Sequence, residues 1–138
     1  MSIATTNTPF TWQSEVRGYE IDLQGIVNNA VYLQYLDHAR ILYLMSKGVD
    51  WELCHKQGYN LVLHHVDLKF KHSLRQHDRF YVTTDVERQG RLKIVFHQSI
   101  IKEDSTVIAD AKSTCVWVST VTGKPTAPEN LIHPLLSA

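Results

Sequence analysis

The chain reads as an α+β domain, a five-stranded antiparallel sheet wrapped around one long, largely apolar helix. Three observations predict this. Apolar residues recur at helical spacing between Asn29 and Lys47, and after Gly58 the period changes to two. The period-two stretches are separated by short turn signals, which imply antiparallel neighbours. The segment 29–47 is also the one long helical pattern able to cover the buried face of such a sheet.

Taken in order, Thr5 to Thr8 is polar and expected to fray. Phe10 to Tyr19 reads as a strand with Phe10, Trp12 and Val16 on one face. Glu20 to Gly25 reads as a connecting loop, with Gly25 as its flexible point. Asn28 or Asn29 can cap the helix that follows. Tyr32, Leu36, Ala39 and Tyr43 share one face of it, and Leu33, Leu42, Leu44 and Met45 widen the apolar surface, so the helix is expected to be enclosed. Lys47 and Gly48 suit its end. Val49 to Gln57 reads as a short second helix ended by Gly58.

Four strands are expected next. In the first, Val62, Val66, Leu68 and Phe70 alternate with His65, Asp67, Lys69 and Lys71. Phe80, Val82, Thr84 and Val86 line one face of the second, and Leu92, Ile94, Phe96 and Ile100 one face of the third. Gln89-Gly90 and Glu103 to Ser105 are the turns, and Val107 to Val118 is the last strand. The tail from Thr122 to Pro128 reads as loop, with Leu131 to Leu136 docking back. Two such sheets pairing edge to edge would remove exposed strand edges.

The 138 residues suit a single domain, 43% hydrophobic and 20% charged, a globular balance. Fourteen basic and 14 acidic residues give zero formal net charge, which argues against a broad nucleic-acid or anionic-membrane surface and does little to keep copies apart. Cys54 and Cys115 show no metal-binding or redox spacing and read as buried free thiols of a reducing compartment. The opening MSIATTNTPF lacks the features of a secretory signal, and no apolar run is long enough for a membrane span, so the expected location is cytoplasmic.

The segment Val16-Arg-Gly-Tyr-Glu-Ile-Asp-Leu-Gln-Gly-Ile-Val-Asn-Asn-Ala-Val-Tyr-Leu-Gln-Tyr-Leu-Asp-His-Ala-Arg40 is the specific part of the chain. Asp22 stands three residues before Gly25, Val-Asn-Asn follows, Tyr32 comes three residues later, and the helix runs on to Ala-Arg. This segment resembles the signature of hotdog-fold acyl-CoA thioesterases, in the branch of 4-hydroxybenzoyl-CoA thioesterase and the bacterial long-chain acyl-CoA thioesterases. The resemblance covers most of the chain, because the strands after the helix fit too. It implies one hotdog thioesterase domain over 1–138, assembled as a homodimer or homotetramer. It also implies Asp22 as nucleophile or general base, the backbone N–H near Asn29 as oxyanion donor, and Gly25 and Tyr32 as substrate contacts. Two departures stand out. Many relatives carry His where this chain has Ile26, and Glu where it has Asp37-His38.

The physical case runs beside the resemblance. Thioester hydrolysis needs a nucleophile or a base for water, and donors for the oxygen as charge develops. A carboxylate is ionised at neutral pH and can fill either first role. The first-turn amides of a helix lack intrahelical partners and carry the positive end of its dipole. A turn or capping carboxylate is the alternative reading of Asp22, side-chain capping that of Asn28 and Asn29, and a core aromatic that of Tyr32. Arg88, Arg91 and Lys93 flank the Gln89-Gly90 turn and could hold the phosphates of coenzyme A, or be a solvated hairpin tip. His64 and His65 are adjacent on a strand and cannot share a metal, so no metal site is expected. No G-x-S-x-G turn supports a serine triad. The expected reaction is acyl-CoA hydrolysis without a cofactor, coenzyme A being part of the substrate. A non-catalytic acyl-CoA or acyl-carrier-protein binding module and a hotdog dehydratase are the other readings.

Overall fold

The computed structural model describes residues 9–137, so the expectation for Thr5 to Thr8 lies outside the described residues. The first strand, β1 (Phe10–Glu15), stops earlier than its pattern suggests. Val16 stays tied to the sheet margin through Asp78, and the chain then tightens into a single 3₁₀ turn, Gly18–Glu20.

Helix α1 (Asn29–Ser46) follows within a residue of its expected span. Asn28 is its cap: the side-chain oxygen accepts from the Ala30 N–H at 2.9 Å. Its last turn closes when Lys47 and Gly48 donate to Leu44 and Met45, with Gly48 at φ +76°, where a side chain would be strained. The short α2 (Trp51–Lys56) is capped by Asp50, whose carboxylate accepts from Leu53 N–H at 2.7 Å.

The strands are β2 (Tyr59–Phe70), β3 (Arg79–Gln89), β4 (Lys93–Lys102) and β5 (Val107–Ser119), all antiparallel in the order β1-β3-β4-β5-β2. Short turns do make β3, β4 and β5 sequential neighbours. They do not make β2 and β3 neighbours: the connection 71–78 carries the chain from one side of the sheet to the other. A sixth strand, β6 (Pro125–Thr126), pairs with β5 inside the expected loop, and the docking tail is a helix, α3 (Glu129–Leu136), that buries Leu131, Ile132 and Leu135.

Two further expectations need correction. Val62 does not share a face with Val66, Leu68 and Phe70. The register shifts from Leu63↔Cys115 to His65↔Thr114, which leaves His64 as an extra, bulged residue and reverses the inward set. Leu61 and Leu63 therefore face inward before the bulge, and Val66, Leu68 and Phe70 after it. Nor is α1 enclosed within one chain. It lies chiefly over β1, β3 and β4, and Leu33, Ile41 and Met45 remain 42%, 42% and 54% exposed.

The core has two apolar lobes. One gathers Val27, Tyr32, Tyr35, Leu36, Leu74 and Phe80 around the first half of α1. The other gathers Tyr43, Phe96, Trp117, Leu131, Ile132 and Leu135 around its second half. A polar network joins them beneath the helix. Arg40 donates to Gln98 and Ser113, and Gln98 donates to Thr84 and to the Leu36 carbonyl. Each of these groups sits on an inward position, and the bonds compensate the desolvation that an unpaired group would suffer there.

Candidate active site

The segment between β1 and α1 folds back on itself. Ile21 and Val27 form an antiparallel bridge, Asp22 N–H donates to the Ile26 carbonyl at 2.9 Å, and Gly25 N–H donates to the Asp22 carbonyl at 3.1 Å. Asp22 and Gly25 thus form the base and end of a tight turn. Gly25 holds φ +81°, which places the residue in the left-handed region favoured by glycine. Oδ1 of Asp22 accepts the Gln24 N–H at 2.8 Å, and Oδ2 takes no donor among the described residues. The carboxylate is therefore held in orientation by one oxygen while the other remains open, half-buried at the turn.

The turn is docked on three sides. Val27 N–H donates to Leu74 at 2.9 Å, Ile26 bridges Arg75, and Asn28 N–H donates to the Glu20 carbonyl at 3.0 Å. The last bond delivers the chain directly into α1. Of the first-turn amides, Ala30 N–H is taken by the Asn28 side chain and Val31 N–H by its carbonyl, whereas Asn29 N–H has no acceptor among the described residues. It lies exposed at the positive end of an 18-residue helix. A polarised oxygen placed there would meet a donor already oriented by the helix.

Tyr32 sits in the first turn of α1, buried in the core, with its hydroxyl accepting the Leu74 N–H at 3.0 Å. Burial raises its pKa above the ordinary phenol value. The Leu74 bond opposes that rise, and the negative charge of Asp22 adds to it, so Asp22 is within electrostatic reach of the helix start. Tyr32 thus braces the 71–78 connection against the turn.

The hairpin residues lie elsewhere. Arg88 makes a two-pronged pair with Glu129 of α3 at 2.8 and 2.7 Å and donates to the Arg91 carbonyl. Arg91 and Lys93 are exposed beside it. From Arg79, at the Asp22 end, to Arg88 is nine residues of strand, about 30 Å. Within one chain, Arg88, Arg91 and Lys93 are at the opposite end of the sheet from Asp22.

The sequence reading passed over Glu20. Its carboxylate, 7% exposed, accepts from Arg17 N–H at 2.8 Å, from the Arg17 guanidinium at 3.3 Å and from the Tyr35 hydroxyl at 2.7 Å. Tyr35 is two turns into α1, so this group clamps the Asp22 segment to the helix. Burial, then the bond to Glu20, pushes the Tyr35 phenol far above its ordinary value, which keeps it a donor. The position of Glu20 two residues before Asp22 was a visible signal; the pairing with a tyrosine 15 residues on was not.

A second feature is a cavity of about 440 Å³ between the C-terminal half of α1, α2 and the start of β2. Ile41, Leu44, Met45, Trp51, Leu61 and Trp117 supply much of its wall. Both thiols, Cys54 and Cys115, are free, buried and on this wall, and burial raises the pKa of each. Among the described residues no cluster of His, Cys, Asp or Glu is arranged to hold a metal. No helix among them is long and apolar enough to cross a membrane.

An antiparallel sheet packed on one long helix is the hotdog architecture. The sequence pattern of the Thioesterase-like superfamily matches residues 16–135, and the chain belongs to that superfamily. It is 36% identical over 105 residues to the chloroplastic acyl-acyl carrier protein thioesterase ATL2 of Arabidopsis thaliana, covering 75% of this chain and 56% of that protein. The chain thus spans little more than half the length of that relative. It is 29% identical over 126 residues to the long-chain acyl-CoA thioesterase FadM of Escherichia coli, covering 90% of this chain and 94% of that one. The crystal structure of a hypothetical protein from Aquifex aeolicus superposes with a TM-score of 0.85 at 29% identity, over 94% of this chain and all of the other.

Proposed function

We infer that the protein hydrolyses acyl-CoA thioesters to a free carboxylic acid and coenzyme A. The observation that carries this is the juxtaposition of a carboxylate oriented through one oxygen with an unclaimed amide at a helix N-terminus. The thioester oxygen takes the Asn29 N–H. Asp22 then either attacks the carbonyl carbon, forming an anhydride that water cleaves, or removes a proton from the water that attacks it. In both cases the C–S bond breaks, the thiolate leaves and is protonated, and one water is consumed. Metal and redox cofactor have no part in this reaction. The names of the relatives, one an acyl-CoA and one an acyl-carrier-protein thioesterase, support the class of substrate. Two free, buried thiols suit a reducing compartment, and the cytoplasm is the proposed location.

The test is Asp22→Asn, assayed for thiol release across a panel of acyl-CoAs beside a melting curve. Asn keeps the size and the acceptor for Gln24 N–H, so the fold should persist, while kcat should fall on the order of 10²-fold or more. A folded variant with near-normal kcat would show that Asp22 is only a turn residue. A wild-type protein that binds the panel without turnover would make it a binding module instead.

We also propose a homodimer as the minimal assembly, and a homotetramer as the higher-order state. One edge of β2 pairs with β5, and its other edge is unpaired among the described residues. Val62, Leu63 and Phe70 are exposed along this strand. Pairing two copies here would satisfy the edge and cover those side chains.

A further inference from the structure

We propose that two copies of the chain, paired along β2, hold one divalent ion of the zinc class at their two-fold axis, between His64 and His65 of each copy. This rests on the β2 homodimer proposed above and is independent of the reading of Asp22.

The bulge in β2 is the first observation. On a regular strand adjacent side chains point to opposite faces, which is why the sequence predicts no shared metal for His64 and His65. The bulge reverses this. Leu63, opposite Cys115, faces inward, and so does Val66, opposite the buried Ser113. His64 follows the first of these and His65 precedes the second, so both stand against Thr114 alone. Alternation from either side therefore turns both imidazoles to the outer face of the sheet, and both residues are exposed. On that face Lys112 stands opposite Asp67 and Lys69 opposite Asp110, so each nearby cation has a carboxylate beside it.

The bulge also selects a register for the second copy. Before it the inward residues are Tyr59, Leu61 and Leu63, and after it they are Val66, Leu68 and Phe70. A strand pairing antiparallel with its own symmetry mate runs these two sets against each other. With the two-fold between His64 and His65, Leu63 meets the partner's Val66, Leu61 the partner's Leu68 and Tyr59 the partner's Phe70. All 12 residues of β2 then pair, inward against inward and outward against outward. Any other register sets inward residues against outward ones or leaves more than half of the strand unpaired.

In this register His64 faces the partner's His65, and His65 the partner's His64. Residues directly opposite on neighbouring strands have Cβ atoms about 4.5–5.5 Å apart, and consecutive Cα atoms are about 3.8 Å apart. Four imidazoles at this spacing can converge on one ion through bonds of about 2.0–2.1 Å. Neutral nitrogen ligands suit zinc, copper or nickel rather than magnesium or calcium. The two imidazoles of one chain fall short of a closed tetrahedral site, so the ion belongs to the dimer. An ion that binds only the dimer tightens it by mass action. It sits on the outer face of the sheet, away from α1 and Asn29.

The experiment strips the protein with EDTA, then measures sedimentation and zinc binding by calorimetry at pH 7.5. Wild type should bind one zinc per two chains, and zinc at about ten times its dissociation constant should tighten the dimer about tenfold. His64→Ala and His65→Ala, both at exposed positions, should still dimerise without zinc but lose the shared site and the effect of zinc on association. Leu63→Lys should abolish dimer and site together. His133→Ala, exposed on α3, should change nothing. A dimer that binds no zinc, or one zinc per chain, would overturn the proposal and leave the β2 dimer standing. A protein that stays monomeric with and without zinc would overturn both. One zinc per two chains retained in the His64 and His65 variants, or in Leu63→Lys, would place the ion elsewhere and overturn the proposal equally.

Discussion

Removing one hydroxyl tests whether the clamp on the Asp22 segment matters. Tyr35→Phe deletes the donor 2.7 Å from Glu20 Oε1 and leaves the ring packed against Trp12, Tyr32 and Phe80. Glu20 keeps its two bonds from Arg17, but the guanidinium is half-exposed and the carboxylate is buried. A hydrogen bond to a charged group contributes about 1.5–3 kcal/mol, and the buried oxygen left behind cannot recover it from water. For a chain of 138 residues that is a fall in Tm of about 5–10 °C. Tyr43→Phe is the control, because its hydroxyl donates to the neutral Leu135 carbonyl and should contribute only about 0.5–1.5 kcal/mol. The pH dependence has a definite sign. The folded-state pKa of Tyr35 is raised, so the stabilisation is fully present below the unfolded value of about 10 and is lost as pH rises beyond it. The stability gap between wild type and Tyr35→Phe should therefore be constant from pH 7 to about 9.5 and narrow above it. Melting curves across that range, with kcat for the best acyl-CoA at pH 7.5, check both points. Because Glu20 also holds Asn28 N–H through its carbonyl, kcat should fall severalfold. A variant with wild-type Tm and kcat would refute the clamp.

Three further outcomes follow. The indole N–H of Trp117 is buried with no partner among the described residues, so Trp117→Phe removes an orphan donor worth about 1–3 kcal/mol while creating a cavity of comparable cost. Its unfolding free energy should stay within about 1 kcal/mol of wild type, and a loss above about 3 kcal/mol would mean the N–H is bonded. Leu63→Lys on the β2 edge should shift the protein to monomer by sedimentation at micromolar concentration, and an unchanged oligomer would place the interface elsewhere. Replacing Arg91 and Lys93 with Ala should raise KM for acyl-CoA more than it lowers kcat, since remote phosphate contacts act on both ground and transition states. An unchanged KM would remove that hairpin from the phosphate site. Given its distance from Asp22 within one chain, a positive result would point to the hairpin of a second copy.

The helix from Asn29, a cap at Asn28 or Asn29, the strands and the loop from Glu20 to Gly25 are legible in the sequence because each depends on local chemistry. Period and cap are set by residues within a few positions of one another. The same locality limited the reading. Period two from Val62 to Phe70 is real on either side of His64, but only pairing with β5 shows that one residue is looped out and the face reversed. The position of β2 beyond β5, rather than beside β3, is likewise a matter of which edges remain unpaired. So is the separation of Arg88 from Asp22, since neighbours at a turn carry no record of how far their strand runs from another loop. The candidate site divides in the same way. Asp22, Gly25 and Asn29 stood out as a motif, whereas the Glu20–Tyr35 bond and the cavity between α1, α2 and β2 join groups far apart in the chain. Local propensity follows from the covalent chain and can be read along it. Contacts between distant segments arise from burial, which is a property of the whole packed surface and is decided only when that surface closes.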